Sequence, residues 1–173
     1  MLAITKKIIS YRLPSIIKQG NIERSNIVDY NEAHEIGVLS TLYNYEKQQI
    51  IRTFIEQLQA DDKKVKVLCY DTRKEKTKIF GFDCFTKRDI SFGGKFSNSD
   101  VIDFIGMKFD FLFHVDFESD VIMNKILALS QAHCRVGRYN EDQTAFYELM
   151  IDAKNIDELC DEMYRYTKIL KGH

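Results

Sequence analysis

The chain lacks tryptophan and contains one proline, eight glycines and four cysteines in 173 residues. So little proline suits a dense alternation of helices and strands rather than a loop-rich fold. The cysteines form no C-x-x-C pair, which argues against a zinc site and against a disulfide framework. We therefore expect buried free thiols and a reducing, cytoplasmic location. The four positions are Cys69, Cys84, Cys134 and Cys160.

No apolar run approaches the roughly 18 residues that a membrane-spanning helix needs. Lys6, Lys7, Arg12 and Pro14 interrupt the first 20 residues, and no small-residue cleavage site follows them, so this segment is not typical of a signal peptide. We expect a soluble protein with no transmembrane segment.

The net charge of −1 favours neither nucleic acid nor membrane as a general partner, but the charge is unevenly distributed. Residues 1–28 hold five basic side chains and one acidic one, whereas residues 141–162 hold eight acidic side chains and one basic one. Solvated helix faces would explain both segments. The alternative is that residues 1–28 form a basic arm that docks on a partner.

Residues 1–19 place apolar side chains at Leu2, Ile9, Leu13, Ile16 and Ile17 with cations between them, a pattern that predicts a basic amphipathic helix weakened or kinked at Pro14. The helix would pack on its own domain, or contact a membrane surface or an acidic partner. We divide the chain into this arm, residues 1–28, and one α/β domain, residues 29–173. The candidate partner-binding residues are Lys6, Lys7, Arg12 and Lys18.

The rest of the chain alternates short apolar runs with amphipathic stretches. The predicted strands are residues 36–39, 63–70, 110–115 and 134–136. Two predicted helices are residues 44–60, capped by Asn44, and residues 120–132, capped by Ser119. A short helix between them begins at Ser97 or Ser99 and ends near Met107. The last predicted helix, residues 156–170, begins with a capping box of Asn155 and Glu158. Residues 144–151 fit either a fifth strand or a buried helical turn. In residues 72–96 we predict an exposed turn at 73–78 and, at 79–82 and 89–92, short strands or edge segments.

This order of elements predicts a three-layer, Rossmann-like α/β domain with a mainly parallel sheet of four to five strands, plus the N-terminal amphipathic helix. In such sheets ligands bind beyond the carboxyl ends of the strands, where the strand order reverses. If the first and third predicted strands are neighbours, one side of that crevice carries Ser40, Thr41 and Asn44. The other side carries Asp116, Glu118 and Ser119.

Backbone N–H groups at the helix starts near Asn44 and Ser119 could hold an anion there. Neither loop has a glycine-rich phosphate motif, and helix capping alone would explain both residues. His114 and Asp116 share one side of their strand and could hydrogen-bond, as an acid–base pair or as a histidine satisfied in the core. Arg138, between Gly137 and Tyr139, could bind a phosphate or carboxylate, or pair with an acidic neighbour.

Asp116 and Glu118 could in principle hold a divalent cation, but two acids in a turn are common without one. The sequence thus predicts no catalytic residue, no metal site and no cofactor. The candidate ligand-binding residues are Ser40, Thr41, Asn44, His114, Asp116, Ser119 and Arg138. Nucleic acid is an alternative partner of the basic helix through Tyr11, Arg12 and Lys18, although no recognised nucleic-acid-binding motif occurs.

Four stretches carry a resemblance: N-E-A-x-x-I-G-V-L at residues 31–39, K-K-V-K-V-L at 63–68, F-D-F-L at 109–112 and A-L-S-x-A-x-x-x-V-G-R-Y at 128–139. On these the chain resembles a family of short, uncharacterised Bacteroidota proteins over most of residues 30–151. The resemblance implies a fold and a lineage, but no activity.

Residues 108–139 are also similar to the N-terminal Rossmann-like domain of lipopolysaccharide heptosyltransferases, in a strand, an Ala- and Leu-rich helix and a small-residue turn into V-G. The first loop of those enzymes carries glycines and a catalytic acid, whereas residues 40–44 here carry neither. Their second, nucleotide-sugar domain also has no counterpart, so glycosyl transfer is not expected.

Two functions follow from the sequence. The leading hypothesis is a non-catalytic, cytoplasmic interaction module whose basic N-terminal helix docks on an unknown protein partner. The alternative is a small enzyme that binds a nucleotide or phosphometabolite at the carboxyl ends of the strands.

Overall fold

A computed structural model describes residues 2–19, 28–73 and 82–170. The helices are α1 Leu2–Gln19, α2 Tyr45–Ala60, α3 Ser99–Gly106, α4 Val121–Leu129 and α5 Ile156–Ile169. The strands are β1 Glu35–Leu42, β2 Lys64–Asp71, β3 Asp83–Phe85, β4 Phe111–His114, β5 Cys134–Arg138 and β6 Leu149–Ile151. Two short 3₁₀ helices span Lys87–Asp89 and Glu141–Phe146.

The six strands form one sheet in the order β3-β2-β1-β4-β5-β6, and every pairing between neighbours is parallel. This is a strand order of doubly wound α/β folds. The prediction of an α/β domain with a parallel sheet and an N-terminal helix is confirmed. The predicted count of four to five strands is wrong, because β3 and β6 have three residues each and give almost no periodic signal.

Helices cover both faces of the sheet and bury two separate apolar clusters. On one face α2 and α5 pack over Val38, Phe111 and Phe113. On the other face α1, α3 and α4 pack over Leu39, Leu68 and Leu112. Consecutive residues of a strand point to opposite faces, so Val38 and Leu39 belong to different clusters.

Helix α1 belongs to the second face rather than standing apart from the fold. Ile9 is 1% exposed and Leu13 is buried, and both join the cluster beneath α4. Gly94 makes room for this packing, since a Cβ there would lie 2.6 Å from the Ile9 Cγ1, and its φ of +81° suits glycine. The predicted apolar positions of α1 are thus confirmed, and the helix continues through Pro14.

Local polar groups begin the helices, although two predicted caps are wrong. Asn44 caps α2 as predicted, but Asn98 caps α3 in place of Ser97 or Ser99. Asp120 caps α4 in place of Ser119, because the Asp120 side chain, rather than that of Ser119, accepts the Ile122 N–H at 2.7 Å. Asn155 caps α5 as predicted, and the Glu158 carboxylate accepts from the N–H of Lys154 instead of closing a capping box.

The region between β2 and α3 differs most from the prediction. Strand β3 lies at residues 83–85, and residues 89–92 contribute only the end of a 3₁₀ helix and a bridge from Ile90 to Phe96. The predicted turn at 73–78 and the predicted strand at 79–82 fall mostly outside the described residues. Residues 20–27, which join α1 to residue 28, lie outside them as well. For residues 144–151 the sequence left open a strand or a helical turn, and the structure has both: the end of a 3₁₀ helix, followed by β6.

Candidate functional site

The strand order reverses between β1 and β4, and three of the polar residues predicted for the crevice, Ser40, Thr41 and Asp116, lie close together there. β1 pairs with β2 on one side and with β4 on the other, so the helix after β1 and the helix after β4 cover opposite faces of the sheet. Ser40 and Thr41 lie within β1, because this strand continues to Leu42 instead of ending at Leu39 as predicted. His114 ends β4 and Asp116 lies two residues beyond it.

Asp116 is the centre of this cluster and is only 6% exposed. Its Oδ2 accepts a hydrogen bond from the Thr41 N–H at 2.8 Å and contacts the Nε2 of His114 at 3.0 Å. Its Oδ1 forms an ion pair with the Nζ of Lys47, a residue of the first turn of α2 that is 2% exposed. The carboxylate therefore has donors on both oxygens.

Ser40 is near this carboxylate but bonds elsewhere. Its Oγ lies 3.4 Å from the Asp116 Oδ1 and donates its proton to the Val115 carbonyl oxygen at 2.7 Å. Since a hydroxyl has one proton, Ser40 links β1 to the end of β4 rather than offering a nucleophile.

The surroundings keep Asp116 ionised. Burial raises the pKa of its carboxyl group. The hydrogen bond and charge of His114 and the charge of Lys47 lower this pKa by more than burial raises it, so the net pKa lies below its usual value. The Lys47–Asp116 pair is neutral as a whole, which is how a fold accommodates two buried charges.

Tyr147 closes the cluster on the far side of His114. Its hydroxyl lies 2.6 Å from the Nδ1 of His114, and the two rings are stacked with centroids 6.0 Å apart. Burial, followed by the charge of Asp116, raises the pKa of Tyr147. The phenol therefore keeps its proton, and the Tyr147 hydroxyl and the Asp116 carboxylate hold the two ring nitrogens of His114 from opposite sides.

Gly137 allows Tyr147 to reach His114. A Cβ at this position of β5 would overlap three carbons of the Tyr147 ring. The ring therefore lies directly over the backbone of β5, beside the end of β4. In the sequence Gly137 is only a neighbour of Arg138, whereas in the fold it is needed for this close approach.

The other predicted ligand residues surround the cluster with partners of their own. Asn44 is exposed and accepts the N–H of Lys47 as a helix cap, at 2.9 Å. Ser119 is exposed and accepts from the Asn124 amide at 2.9 Å. The Arg138 guanidinium stacks 3.8 Å from the Phe117 ring centroid and donates to the carbonyls of Phe117 and Ala153 at 3.4 and 3.5 Å.

Sequence reasoning missed Lys47 and Tyr147. Lys47 lies on the first turn of a helix, where a lysine side chain is usually solvated. The one feature of the sequence that could have placed Lys47 at the site is its position a few residues after the end of β1. Tyr147 was part of a run that fitted two structures. Together with His114 and Asp116 they form a line of contacts from Tyr147 through His114 to Asp116 and Lys47. The last three residues are buried and Tyr147 is partly buried.

The predicted partner-binding residues lie on α1, and three of the four are exposed: Lys7, Arg12 and Lys18. Lys6 instead binds Asp120 at the start of α4, at 2.5 Å. The outward side of α1 also presents Tyr11, 87% exposed, and Ile4, 52% exposed. We call these five exposed residues, Ile4, Lys7, Tyr11, Arg12 and Lys18, the α1 face.

More basic and aromatic groups adjoin the α1 face. Lys125 of α4 donates to the Gly94 carbonyl at 2.6 Å and lies over the Phe96 ring. Burial and then the positive charge of Arg12 lower the pKa of Lys125, so these two cations are close to each other. In the same loop as Gly94, Phe92 is 57% exposed and Lys95 is exposed.

Two observations concern metals and membranes. Among residues 2–19, 28–73 and 82–170, no three histidine, cysteine, aspartate or glutamate side chains are grouped so as to hold a metal ion. In the same part of the chain, no helix combines the length and apolarity that crossing a bilayer requires.

Residues 6–170 match the model of a family described as a family of unknown function, DUF6913, and the chain belongs to that family. No curated protein and no solved structure matches the chain significantly. The family match supports the resemblance to proteins without an assigned function. The Bacteroidota lineage and the similarity to heptosyltransferases stay predictions.

Proposed function

We propose that this protein is a non-catalytic, cytoplasmic binding module that docks an acidic segment of a partner protein on the α1 face. The observation that carries the proposal is the two-sided structure of α1. Its inner side is buried on α4 through Ile9 and Leu13, so the helix is fixed, while Lys7, Arg12 and Lys18 point away from the fold.

The chemistry of the α1 face selects the partner. Three cations without a carboxylate partner among the described contacts attract negative charge, and Lys95 and Lys125 extend the same sign beside them. Tyr11, Ile4 and Phe92 add apolar area of the kind that anchors protein interfaces. A protein segment with acidic and apolar side chains satisfies both features, whereas a nucleic-acid backbone would use the cations alone.

The polar cluster at the switch point supports the non-catalytic part of the proposal. Lys47, His114 and Asp116 are each at most 6% exposed and bond to one another. A general acid or base must reach a substrate proton directly or through one water. These three groups use their hydrogen bonds within the fold.

The test is charge reversal on the α1 face. Cross-linking in the native cell followed by mass spectrometry first identifies a protein attached to Lys7 or Lys18, and that protein is then purified. We expect K7E/R12E to weaken its binding to the full chain by more than tenfold, about 1.4 kcal/mol. Binding should also weaken as salt is raised.

The matched control is K108E/K154E, which makes the same change in charge at two exposed lysines outside α1. Equal loss of binding in both double variants would contradict docking on α1, as would unchanged binding in K7E/R12E. Cross-links confined to other faces, or recovery of nucleic acid in place of a protein, would overturn the proposal.

The second candidate is a small enzyme that binds a nucleotide or phosphometabolite at the switch point. One observation favours it: Lys47, His114 and Arg138 bring three nitrogen groups to the strand ends where doubly wound folds bind ligands. An anion would have to replace Asp116 as the partner of Lys47.

Calorimetric titration with nucleotides and sugar phosphates tests this candidate. We expect saturable binding that R138A weakens more than about tenfold. No binding at millimolar ligand by the folded wild-type chain would exclude the candidate.

A further inference from the structure

Cys69 and Cys84 are direct cross-strand partners, although 14 residues lie between them in the chain. In the parallel pairing of β2 with β3, Cys69 is opposite Cys84. Both side chains belong to the apolar cluster under α2 and α5, so they project from the same face of the sheet. Neighbouring strands lie about 4.8 Å apart, within the Cα separation of roughly 4.4–6.8 Å that a disulfide spans.

The two cysteines are free thiols. The neighbouring Cys84 side chain, followed by burial, raises the pKa of Cys69. The backbone register and the shared face of the sheet together place the two sulfur atoms as neighbours.

The surroundings of the two thiols differ, and the difference assigns a role to each. Cys69 is 0% exposed in β2, whereas Cys84 is partly exposed on the edge strand β3. The guanidinium of Arg73, bound to Asp71 at 2.9 Å, lies near both cysteines. Oxidants reach the more exposed thiol of such a pair, so Cys84 is the residue that reacts first and Cys69 the residue that follows.

We propose that Cys69 and Cys84 are a redox site that closes to a disulfide when the protein meets a hydroperoxide. The Cys84 thiolate attacks the terminal peroxide oxygen, the O–O bond breaks, and Cys84 becomes a sulfenic acid while the peroxide leaves as water or an alcohol. The Cys69 thiol then attacks the Cys84 sulfur, the S–O bond breaks, and the oxygen leaves as a second water. Two thiols lose two electrons in total and the peroxide gains them.

The fold gives this reaction a structural effect. β3 has three residues and, among the strands that the structure describes, pairs only with β2, so a disulfide at its middle residue fixes this edge of the sheet covalently. A dithiol or glutathione of a reducing cytoplasm restores the thiols by exchange. The site is independent of the α1 face, because the cysteines lie under α2 and α5 and α1 packs on the opposite side of the sheet.

The experiment treats the full, folded chain with hydrogen peroxide, then counts thiols after denaturation and maps cross-linked peptides by mass spectrometry. Two of the four thiols should disappear, the intact mass should fall by two hydrogens, and the cross-link should join Cys69 to Cys84. Dithiothreitol should restore all four thiols. C84S should retain its three remaining thiols, whereas the matched control C160S should still form the cross-link.

Three results would overturn the proposal. The first is a peroxide-treated chain that keeps four thiols. The second is a cross-link that includes Cys134 or Cys160. The third is conversion of Cys84 to the sulfinic acid without a cross-link, which would show that Cys69 does not resolve the sulfenic acid. Because the cross-link is mapped on the wild-type chain, the test remains decisive even when C84S fails to fold.

Discussion

Asp116 carries a negative charge inside the protein, and its three donors explain how the fold tolerates that charge. Thr41, His114 and Lys47 reach it from β1, β4 and α2, and β4 lies far along the chain from the other two elements. The cluster therefore joins the elements that meet where the strand order reverses. These contacts stabilise the fold, since each group provides the hydrogen-bond or charge partner that the others need.

Removing the carboxylate should destabilise the protein strongly. In D116A the Lys47 ammonium would remain buried without its partner, and we expect a loss of about 3–5 kcal/mol in the free energy of unfolding. The double variant K47M/D116L removes both charges and should recover most of this loss. Urea unfolding measures both.

The matched control for this prediction is the exposed ion pair of Lys64 and Glu35, with a separation of 3.1 Å. E35A should change the free energy of unfolding by no more than about 1 kcal/mol. A small effect of D116A, similar to that of E35A, would mean that Lys47 finds another partner or reaches water.

The lowered pKa of Asp116 also predicts a dependence of stability on pH. The folded-state pKa lies below the value of 3.8 for an unperturbed aspartate, so the unfolded chain binds the proton first as pH falls. The stabilisation is therefore complete above pH 3.8 and is lost as pH falls below it, through the folded pKa.

The measurement is the urea midpoint of wild type and D116N over a series of pH values from about 5 to 2. Asp61 and Asp71 also have lowered pKa values and contribute to the slope of the wild type. D116N should thus lose stability less steeply than the wild type. Parallel curves for the two proteins would show that Asp116 does not titrate as inferred.

Gly137 is the second residue on which the cluster depends. In G137A the new methyl group would occupy the space of the Tyr147 ring, and we expect a loss of about 1–3 kcal/mol from the resulting overpacking. G106A is the control, because a Cβ at Gly106 has no neighbour within 4 Å. It should be neutral or stabilise the protein by up to about 1 kcal/mol. Equal urea midpoints for the two variants would contradict the close approach of Tyr147.

At the scale of elements, α1 joins a structural role to the proposed docking role. Its buried side completes the apolar cluster over β1, β2 and β4, whereas the α1 face adds nothing to that cluster. A deletion of residues 1–28 would remove Ile9 and Leu13 and expose the cluster. Loss of binding after such a deletion would thus not separate docking from folding, and point substitutions on the α1 face are the sharper test.

Two isoleucines of α1 separate its roles. Ile9 is 1% exposed and Ile4 is 52% exposed. We expect I9A to lower the free energy of unfolding by about 2–5 kcal/mol, since it leaves a cavity under α4. I4A should change it by no more than about 0.5 kcal/mol. Thermal and urea unfolding of both variants measures the difference, and equal small effects would mean that α1 is only loosely attached.

The elements also show how far the sequence could be interpreted. The long, periodic helices and the apolar strands β2 and β4 were predictable, because each carries its own pattern of burial. β3 and β6 were not, since a three-residue strand is defined by its neighbour and not by periodicity. The caps of α3 and α4 were missed because several polar residues stand in a row there, and only backbone geometry decides which one accepts the first N–H.

At the scale of the whole molecule, the strand order determines which distant residues meet. The sequence predicted a crevice with Ser40, Thr41 and Asn44 on one side and Asp116, Glu118 and Ser119 on the other if the first and third predicted strands were neighbours, and these strands, β1 and β4, do pair. It could not predict that Lys47 would turn inward or that Cys69 would pair with Cys84, because both contacts follow from pairing between distant segments. Residues at strand ends were thus easier to place than side chains that reach the site from a helix or across an edge.

Because α1 and the sheet share one apolar cluster, we expect them to unfold together. Ile9 and Leu13 pack in the same cluster as Leu39 of β1 and Leu112 of β4, so separating α1 would expose the apolar residues on one face of the central strands. A single cooperative transition is expected when elements share a core in this way. Hydrogen exchange of α1 and β4 peptides across a urea series, followed by mass spectrometry, should give one common midpoint for both. Loss of protection in α1 at lower urea, with β4 still protected, would make α1 an independently melting arm and would restore deletion of residues 1–28 as a valid test of docking.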